Sequence, residues 1–241
     1  MKLQQSLGLY LRKAEIPSPW RGKPVISDAR VVEEAVAAVC PTGAISTAPL
    51  SIDLGRCAFC GECALAFPEK IKFTNNKQIY SNKRENLIIK EGDDSPTLFD
   101  PESVRSEIKH IFRKSLKIRQ VSAGGDNSAE WELNASGNAN FDMHRFGIEF
   151  VASPRHADGI VTTGPISSNM AEALRITYEA TPDPKVIILA GGDAISGGIF
   201  SDSPALDRSF LDNHPVDLYI PGNPPHPLVI INALLDLCGR K

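Results

Sequence analysis

Residues 40–68, CPTGAISTAPLSIDLGRCAFCGECALAFP, place Cys57, Cys60 and Cys63 in a C-x-x-C-x-x-C run and Cys40 directly before a proline, Pro41. Where two runs of this spacing stand in tandem, the fourth cysteine of one run ligates the cluster of the other. Cys40 therefore belongs with Cys57, Cys60 and Cys63. An offset of 27 residues locates the other copy: it carries Arg30 onto Cys57, Glu33 onto Cys60, Val36 onto Cys63 and Cys40 onto Phe67, which also precedes a proline, Pro68. One copy keeps every ligand. The other has lost all of them, at Arg30, Glu33, Val36 and Phe67.

Thiolate is a soft ligand, and the tight run suits a loop wrapped around an iron–sulfur cube. The reading is one 4Fe-4S cluster on Cys40, Cys57, Cys60 and Cys63. The alternative is zinc or free thiols. Structural zinc favours two separated C-x-x-C knuckles, because a tetrahedral ion takes two ligands from each side. A disulfide framework is disfavoured: the chain has five cysteines in 241 residues, shows no signal-peptide pattern and is long enough to build real cores. Cys238, in an apolar C-terminal pattern, reads as an ordinary thiol.

The length allows one large or two modest domains, and a 42% apolar fraction is enough to fill them. A net charge of −3 gives no signal for nucleic acid. No apolar run reaches the length of a transmembrane helix. Residues 1–18 are expected to be an amphipathic helical segment with Leu3, Leu7, Tyr10 and Leu11 on one side; such a segment could touch a membrane surface, but docking on a partner subunit or on its own domain is the more common use.

Residues 19–90 are the cluster module, whose tail suggests short strands, and the acidic, turn-rich 91–102 reads as a linker. From 103 to 241 the pattern alternates. Strands are expected at Leu116–Ser122, Ile148–Ala152, Gly159–Thr163, Val186–Ala190 and Leu218–Ile220, with helices at Ser103–Lys114, Ser168–Ala180 and Pro227–Leu237. Alternation of this kind builds a parallel sheet covered on both faces. The fold class is α/β: an N-terminal α+β iron–sulfur module followed by an open parallel-sheet domain of flavodoxin-like type. Polar loops at Gly124–Asp126, Gly191–Asp193 and Gly222–Pro225 follow strands and should meet at the carboxyl edge of the sheet. No G-x-G-x-x-G follows the first strand, so a dinucleotide site is not indicated. No nucleophile–base pair is visible, and no catalytic residue is assigned.

Several stretches carry a family resemblance. They are Ser115-Leu-Lys-Ile-Arg119-Gln-Val, Asn127, Glu130-Trp-Glu132-Leu-Asn134-Ala, Arg145-Phe-Gly-Ile, Ala152-Ser-Pro-Arg-His-Ala-Asp158 and Thr163-Gly-Pro. Asn169-Met, Gly197-Gly198 and Tyr219-Ile-Pro-Gly-Asn-Pro-Pro-His-Pro227 continue the match. Residues 103–241 resemble the small subunit of group 4 nickel–iron hydrogenases and the 20-kDa-type (B) subunit of respiratory complex I. The first third, with Arg21-Gly22-Lys23-Pro24, resembles the ferredoxin-type (polyferredoxin-like) subunit of the same complexes, so the chain looks like a fusion of the two.

The resemblance implies a second 4Fe-4S cluster in the sheet domain. Its ligand positions fall on Asp126, Ala129, Asp193 and Asn223, none of them cysteine. No iron is expected there. Asp126, Asp193 and Asn223 could serve a hard ion, but as ordinary turn residues they are expected to make local loop hydrogen bonds. Glu130 and Glu132 are expected on a solvated or subunit-facing surface, with proton transfer as the alternative. His144 and His156 are expected to be hydrogen-bonded structural residues.

The implied function is that of an electron-transfer and structural subunit of a membrane-associated oxidoreductase complex. It would carry one cluster and lack the proximal one, as in complexes related to energy-converting hydrogenases. Its partners would be a hydrogenase-like or complex-I-like large subunit and membrane subunits. Its place would be the cytoplasmic face of the inner membrane, peripheral through those partners. The alternative is a non-redox scaffold or redox-sensing subunit of an ion-translocating or transport assembly. Trp131, Pro165, Pro221, Pro224 and Pro225 are the residues expected around the docking edge.

Overall fold

The computed structural model describes residues 12–240. Most of the amphipathic segment expected over 1–18 lies outside the described residues.

The first part is built on the duplication. Strands β1 (Pro24–Ile26), β2 (Ile45–Ser46), β3 (Ser51–Asp53) and β4 (Ile71–Phe73) alternate with helices Glu33–Ala38 and Glu62–Ala66. The 27-residue offset that relates the cysteine positions also carries Pro24–Ile26 onto Ser51–Asp53 and Ile45–Ser46 onto the last two residues of β4. The copies interlock: β1 pairs antiparallel with β4, Ile26 opposite Ile71, and β2 with β3, Ile45 opposite Ile52. A fifth strand, β5 (Ile88–Lys90), pairs antiparallel with β3.

The second part is a five-stranded parallel sheet. Its strands are β6 (Leu116–Ser122), β7 (Ile148–Phe150), β8 (Gly159–Thr163), β9 (Val186–Ala190) and β10 (Leu218–Ile220), in the order β10-β9-β8-β6-β7. Every residue of β8 and β9 is buried, as strands covered on both faces require. Side chains alternate between two cores with the period of a strand. Ile160 and Ile187 join Leu174 of helix Ser168–Ala180, whereas Val161 and Ile188 belong to the core that contains helix Pro227–Leu237.

Two elements are shorter than the sequence suggests. β7 ends at Phe150; Val151 N–H still donates to Ile118 O, but the chain turns away before Pro154. The helix expected over Ser103–Lys114 is broken. Asp100 caps a single 3₁₀ turn at Pro101–Ser103, Val104 is extended and buried, and the α-helix covers only Ser106–Ile111. Helix Ser128–Ala135 was not anticipated.

The two parts share one apolar core, which runs from Ile26, Leu54 and Tyr80 through Leu98 and Phe99 to Ile220 and Leu234. Ser81 pairs with Tyr219 through reciprocal backbone hydrogen bonds of 3.0 and 2.7 Å, adding one rung beside β10. Tyr80 Oη donates to Asp236 at 2.5 Å. The acidic stretch after β5 is pinned by two buried lysines. Lys23 Nζ donates to Ser95 O and Asp93, and Lys70 Nζ to Ser27 O and Glu91.

Candidate functional site

The cysteine loop begins at a fixed point. Asp53, the last residue of β3, accepts two hydrogen bonds from the Arg84 guanidinium at 2.8 and 2.6 Å and one from Gly55 N–H at 2.9 Å. Its carbonyl accepts the Cys57 N–H. Beyond Cys57 the chain turns through left-handed conformations at Phe59 (φ 53°) and Gly61 (φ 86°) before Cys63 enters the short helix Glu62–Ala66. Cys57 and Cys63 are buried, Cys40 is half-buried and Cys60 is exposed.

The charges of Cys40, Cys60 and Cys63 all act on Cys57. Backbone amides serve the sulfurs: Phe59 N–H donates to Cys57 Sγ at 3.3 Å and Ala44 N–H to Cys40 Sγ at 3.2 Å. Burial, reinforced by the neighbouring sulfurs, pushes the Cys57 thiol up to about 12 and the Cys63 thiol up to about 11. Metal-free, these groups hold their protons, so loading a metal must release them.

Four thiolates, with backbone N–H groups on two of their sulfurs, are the soft donor set that an iron–sulfur cube takes. Zinc with Zn–S of about 2.3 Å draws its four sulfurs into van der Waals contact. Among the described residues, no three His, Cys, Asp or Glu side chains are close enough to hold one metal ion. A cube spreads its ligands further apart. The soft donors, the amide N–H groups on sulfur and the left-handed loop are the features such a group uses.

Two counterpart positions of the first copy serve packing. Val36 is fully buried and Phe67 packs against the same core. Glu33 accepts the Ala48 N–H at 2.9 Å, and Arg30 is exposed.

At the carboxyl edge of the sheet, the loops after β6, β9 and β10 line one cavity of about 10 Å³, which brings Asp126, Ala129, Asp193 and Asn223 together. The space suits a single water-sized group. Asp126 accepts from Ser128 N–H and Oγ at 2.9 and 2.6 Å, which holds its carboxyl below the usual range. Asp193 is pushed up by burial, then by the charges of Asp126 and Glu130. Arg208 braces this edge from behind, donating to the carbonyls of Pro165, Asp193, Ala194 and Ile195.

Glu130 departs from expectation. It is buried and accepts from Ser122 Oγ at 2.5 Å and Thr163 Oγ1 at 2.6 Å, tying its helix to β6 and β8. Glu132 is half-buried, and desolvation raises its carboxyl. It lines a cavity of about 260 Å³ between the cysteine loop, at Ala58 and Phe59, and the 221–226 loop. His144 and His156 are both exposed, and among the described residues neither makes a side-chain hydrogen bond. Two histidines not singled out from sequence have structural roles: His226 Nδ1 accepts from Leu228 N–H and caps helix Pro227–Leu237, and His214 bonds Phe210 O and stacks on the Phe210 ring. A histidine directly before a proline and an apolar run is a signal that could have marked His226. Of the residues expected around the docking edge, Pro165, Pro221 and Pro225 are buried, whereas Trp131 and Pro224 are exposed.

Residues 127–237 match the family model of the NADH ubiquinone oxidoreductase 20-kDa subunit. The chain is 36% identical over 130 residues to a probable membrane-bound hydrogenase subunit of Pyrococcus furiosus, covering 54% of this chain and 78% of that one. It is 35% identical over 173 residues to the (B) subunit of NADH-quinone oxidoreductase from Clostridium beijerinckii, covering 70% and 91%. It is 38% identical over 137 residues to formate hydrogenlyase subunit 7 of Escherichia coli, covering 57% and 54%.

Proposed function

The chain belongs to the family of the 20-kDa subunit of NADH:ubiquinone oxidoreductase, and on that premise we propose that it is an electron-transfer and structural subunit of a membrane-associated oxidoreductase complex related to group 4 hydrogenases and complex I. Residues 19–90 are a ferredoxin-like module joined through 91–102 to the family domain at 103–241. The module carries one 4Fe-4S cluster on Cys40, Cys57, Cys60 and Cys63. When bound, the cluster supplies one-electron transfer. The protein's own residues hold it through four thiolates, direct the Phe59 and Ala44 amides onto two of the sulfurs, and leave Cys60 as the exposed side. The partners are a hydrogenase-like or complex-I-like large subunit and membrane subunits, with the chain peripheral to the cytoplasmic face of the inner membrane.

The observation that carries this reading is the contrast between two sites in one chain. The first part keeps four cysteines whose charges act on one another, while the sheet edge of the family domain presents Asp126, Ala129, Asp193 and Asn223 around a water-sized cavity. That edge also supports a second reading, in which the chain acts as a scaffold and its single cluster is structural or redox-sensing. The test is iron and sulfide counting with EPR on protein purified without oxygen, together with affinity recovery from native membranes. About four irons per chain and a large-subunit partner are expected. Stoichiometric zinc without iron rejects the cluster, and a soluble monomer with its own substrate turnover rejects both readings. A cluster that the partner can neither reduce nor oxidise selects the scaffold.

A further inference from the structure

Arg21 lies against the outer side of the cysteine loop. A Cβ built on Gly61 would fall 2.6 Å from Arg21 Nε and 3.0 Å from its Cζ, so the guanidinium fills the space a side chain would take between Cys60 and Cys63. Arg21 Nη1 also reaches Phe59 O at 3.4 Å, which completes a cap over residues 59–61. The neighbouring arginines spend their charge on carboxylates: Arg12 on Asp236, Arg84 on Asp53 and Arg105 on Glu107 and Asp217. Among the described residues Arg21 has no such partner. It lines the openings on both sides of the loop, with Phe59 and Glu132 in one and Leu65 and Lys72 in the other.

A fixed cation beside a cluster has a definite consequence. Reduction adds one electron and neither breaks nor forms a bond, so the reduced state carries one more negative charge for the cation to attract. The potential of an iron–sulfur cluster responds to nearby charge, hydrogen bonding and exposure. Gly61 is the residue that allows this approach, because its left-handed φ and bare Cα let the guanidinium rest on the backbone. A side chain at position 61 would push the charge away.

We propose that Arg21 is a positioning residue whose charge, seated on Gly61, raises the reduction potential of the cluster held by Cys40, Cys57, Cys60 and Cys63. The inference rests on the reading that these cysteines hold a cluster. The test is an EPR-monitored redox titration of the full chain, purified without oxygen and reduced with dithionite. EPR counts only loaded protein, so partial iron loss leaves the midpoint measurable. Arg21→Met removes the charge and keeps most of the stem; Arg21→Lys keeps the charge but loses the planar fork.

At the wild-type midpoint, Arg21→Met is expected to be about three- to tenfold less reduced, and tenfold corresponds to about 59 mV for a one-electron couple. Arg21→Lys is expected to stay near wild type. Two results overturn the inference: an unchanged midpoint in Arg21→Met, or a shift in Arg21→Lys as large as that in Arg21→Met, which would assign the effect to loop bracing. Wild-type protein without iron fails the cluster reading instead.

Discussion

A Cβ on Gly55 would lie 2.6 Å from Ile195 Cγ2 and 3.0 Å from the Arg84 guanidinium carbon. Gly55 opens the cysteine loop, and Ile195 lies in the short helix Gly192–Ser196 that follows β9. The loop that carries Cys57, Cys60 and Cys63 therefore rests directly on the sheet edge that presents Asp126, Asp193 and Asn223. A Cβ on Gly192 would in turn meet Gly55 O at 3.6 Å and Cys57 O at 3.9 Å. The two parts meet there through backbone atoms and the Ile195 side chain.

Gly55→Ala tests that junction. The methyl group would lie closer than van der Waals contact to both Ile195 and the Arg84 guanidinium. An overpacked contact of this kind costs about 1–3 kcal/mol. Displacing Arg84 also loosens Asp53, whose carbonyl receives the Cys57 N–H. The expected result is a lower urea midpoint under anaerobic conditions together with fewer irons per chain. A variant with the wild-type midpoint and full iron would show that the loop and the sheet edge move independently.

Removing the thiolates isolates the second site. In a chain with Cys40, Cys57, Cys60 and Cys63 all changed to alanine, the sheet edge still offers Asp126, Asp193 and Asn223 around a cavity of about 10 Å³. Neither the donor chemistry nor the space suits an iron–sulfur cube. Anaerobic preparations of this variant are expected to contain no bound iron by elemental analysis. Residual stoichiometric iron would place a cluster where none is expected.

Much of the sheet domain was legible because its signals are local. Val-Ile-Ile-Leu-Ala at 186–190 is apolar without a break, and Ser168–Ala180 and Pro227–Leu237 match their expected limits. The duplication was legible because the offset between cysteine positions also relates the strands. Helix Ser128–Ala135 was hidden for a physical reason. Its buried residues are Ala129, Glu130 and Leu133, so one of its inward positions is a carboxylate and no apolar stripe forms. Glu130 can be buried only because hydroxyls from two different strands, on Ser122 and Thr163, meet its oxygen. That coincidence in space leaves no spacing to read in the chain. Val36 and Phe67 were visible as lost ligands, but their role as packing depends on which core they enter.

Glu132 makes a pH-dependent prediction. Desolvation raises its carboxyl, and no hydrogen bond or ion pair offsets that effect. A carboxyl raised in the folded state contributes stability below its unfolded pKa, near 4.3, and loses it as pH rises through the folded value. Glu132→Gln removes the charged form while keeping the shape. The variant is expected to melt higher than wild type at pH 7, with the difference closing as pH falls toward 4. Thermal melts of anaerobic protein across that range give the comparison. A variant less stable than wild type at pH 7 would mean that the carboxylate has a stabilising partner.

Trp131 separates folding from assembly. It is 69% exposed, and the helix that bears it also supplies Ala129 to the water-sized cavity; Ile199 and Phe200, 71% and 48% exposed, come shortly after Asp193, which lines the same cavity. Large apolar side chains grouped around one edge are costly to leave in water and typical of a surface that meets another protein. Because Trp131 buries little within its own chain, Trp131→Ala should change folding stability by no more than about 0.5 kcal/mol. An exposed tryptophan near the centre of an interface can carry about 2 kcal/mol or more of binding, so recovery of the large subunit from membranes should fall about tenfold or more. Ile176 is 54% exposed on helix Ser168–Ala180. It serves as the control, and Ile176→Ala is expected to leave recovery unchanged. Equal loss in both variants would point to general surface stickiness. Full recovery with Trp131→Ala would move the docking face away from the sheet edge.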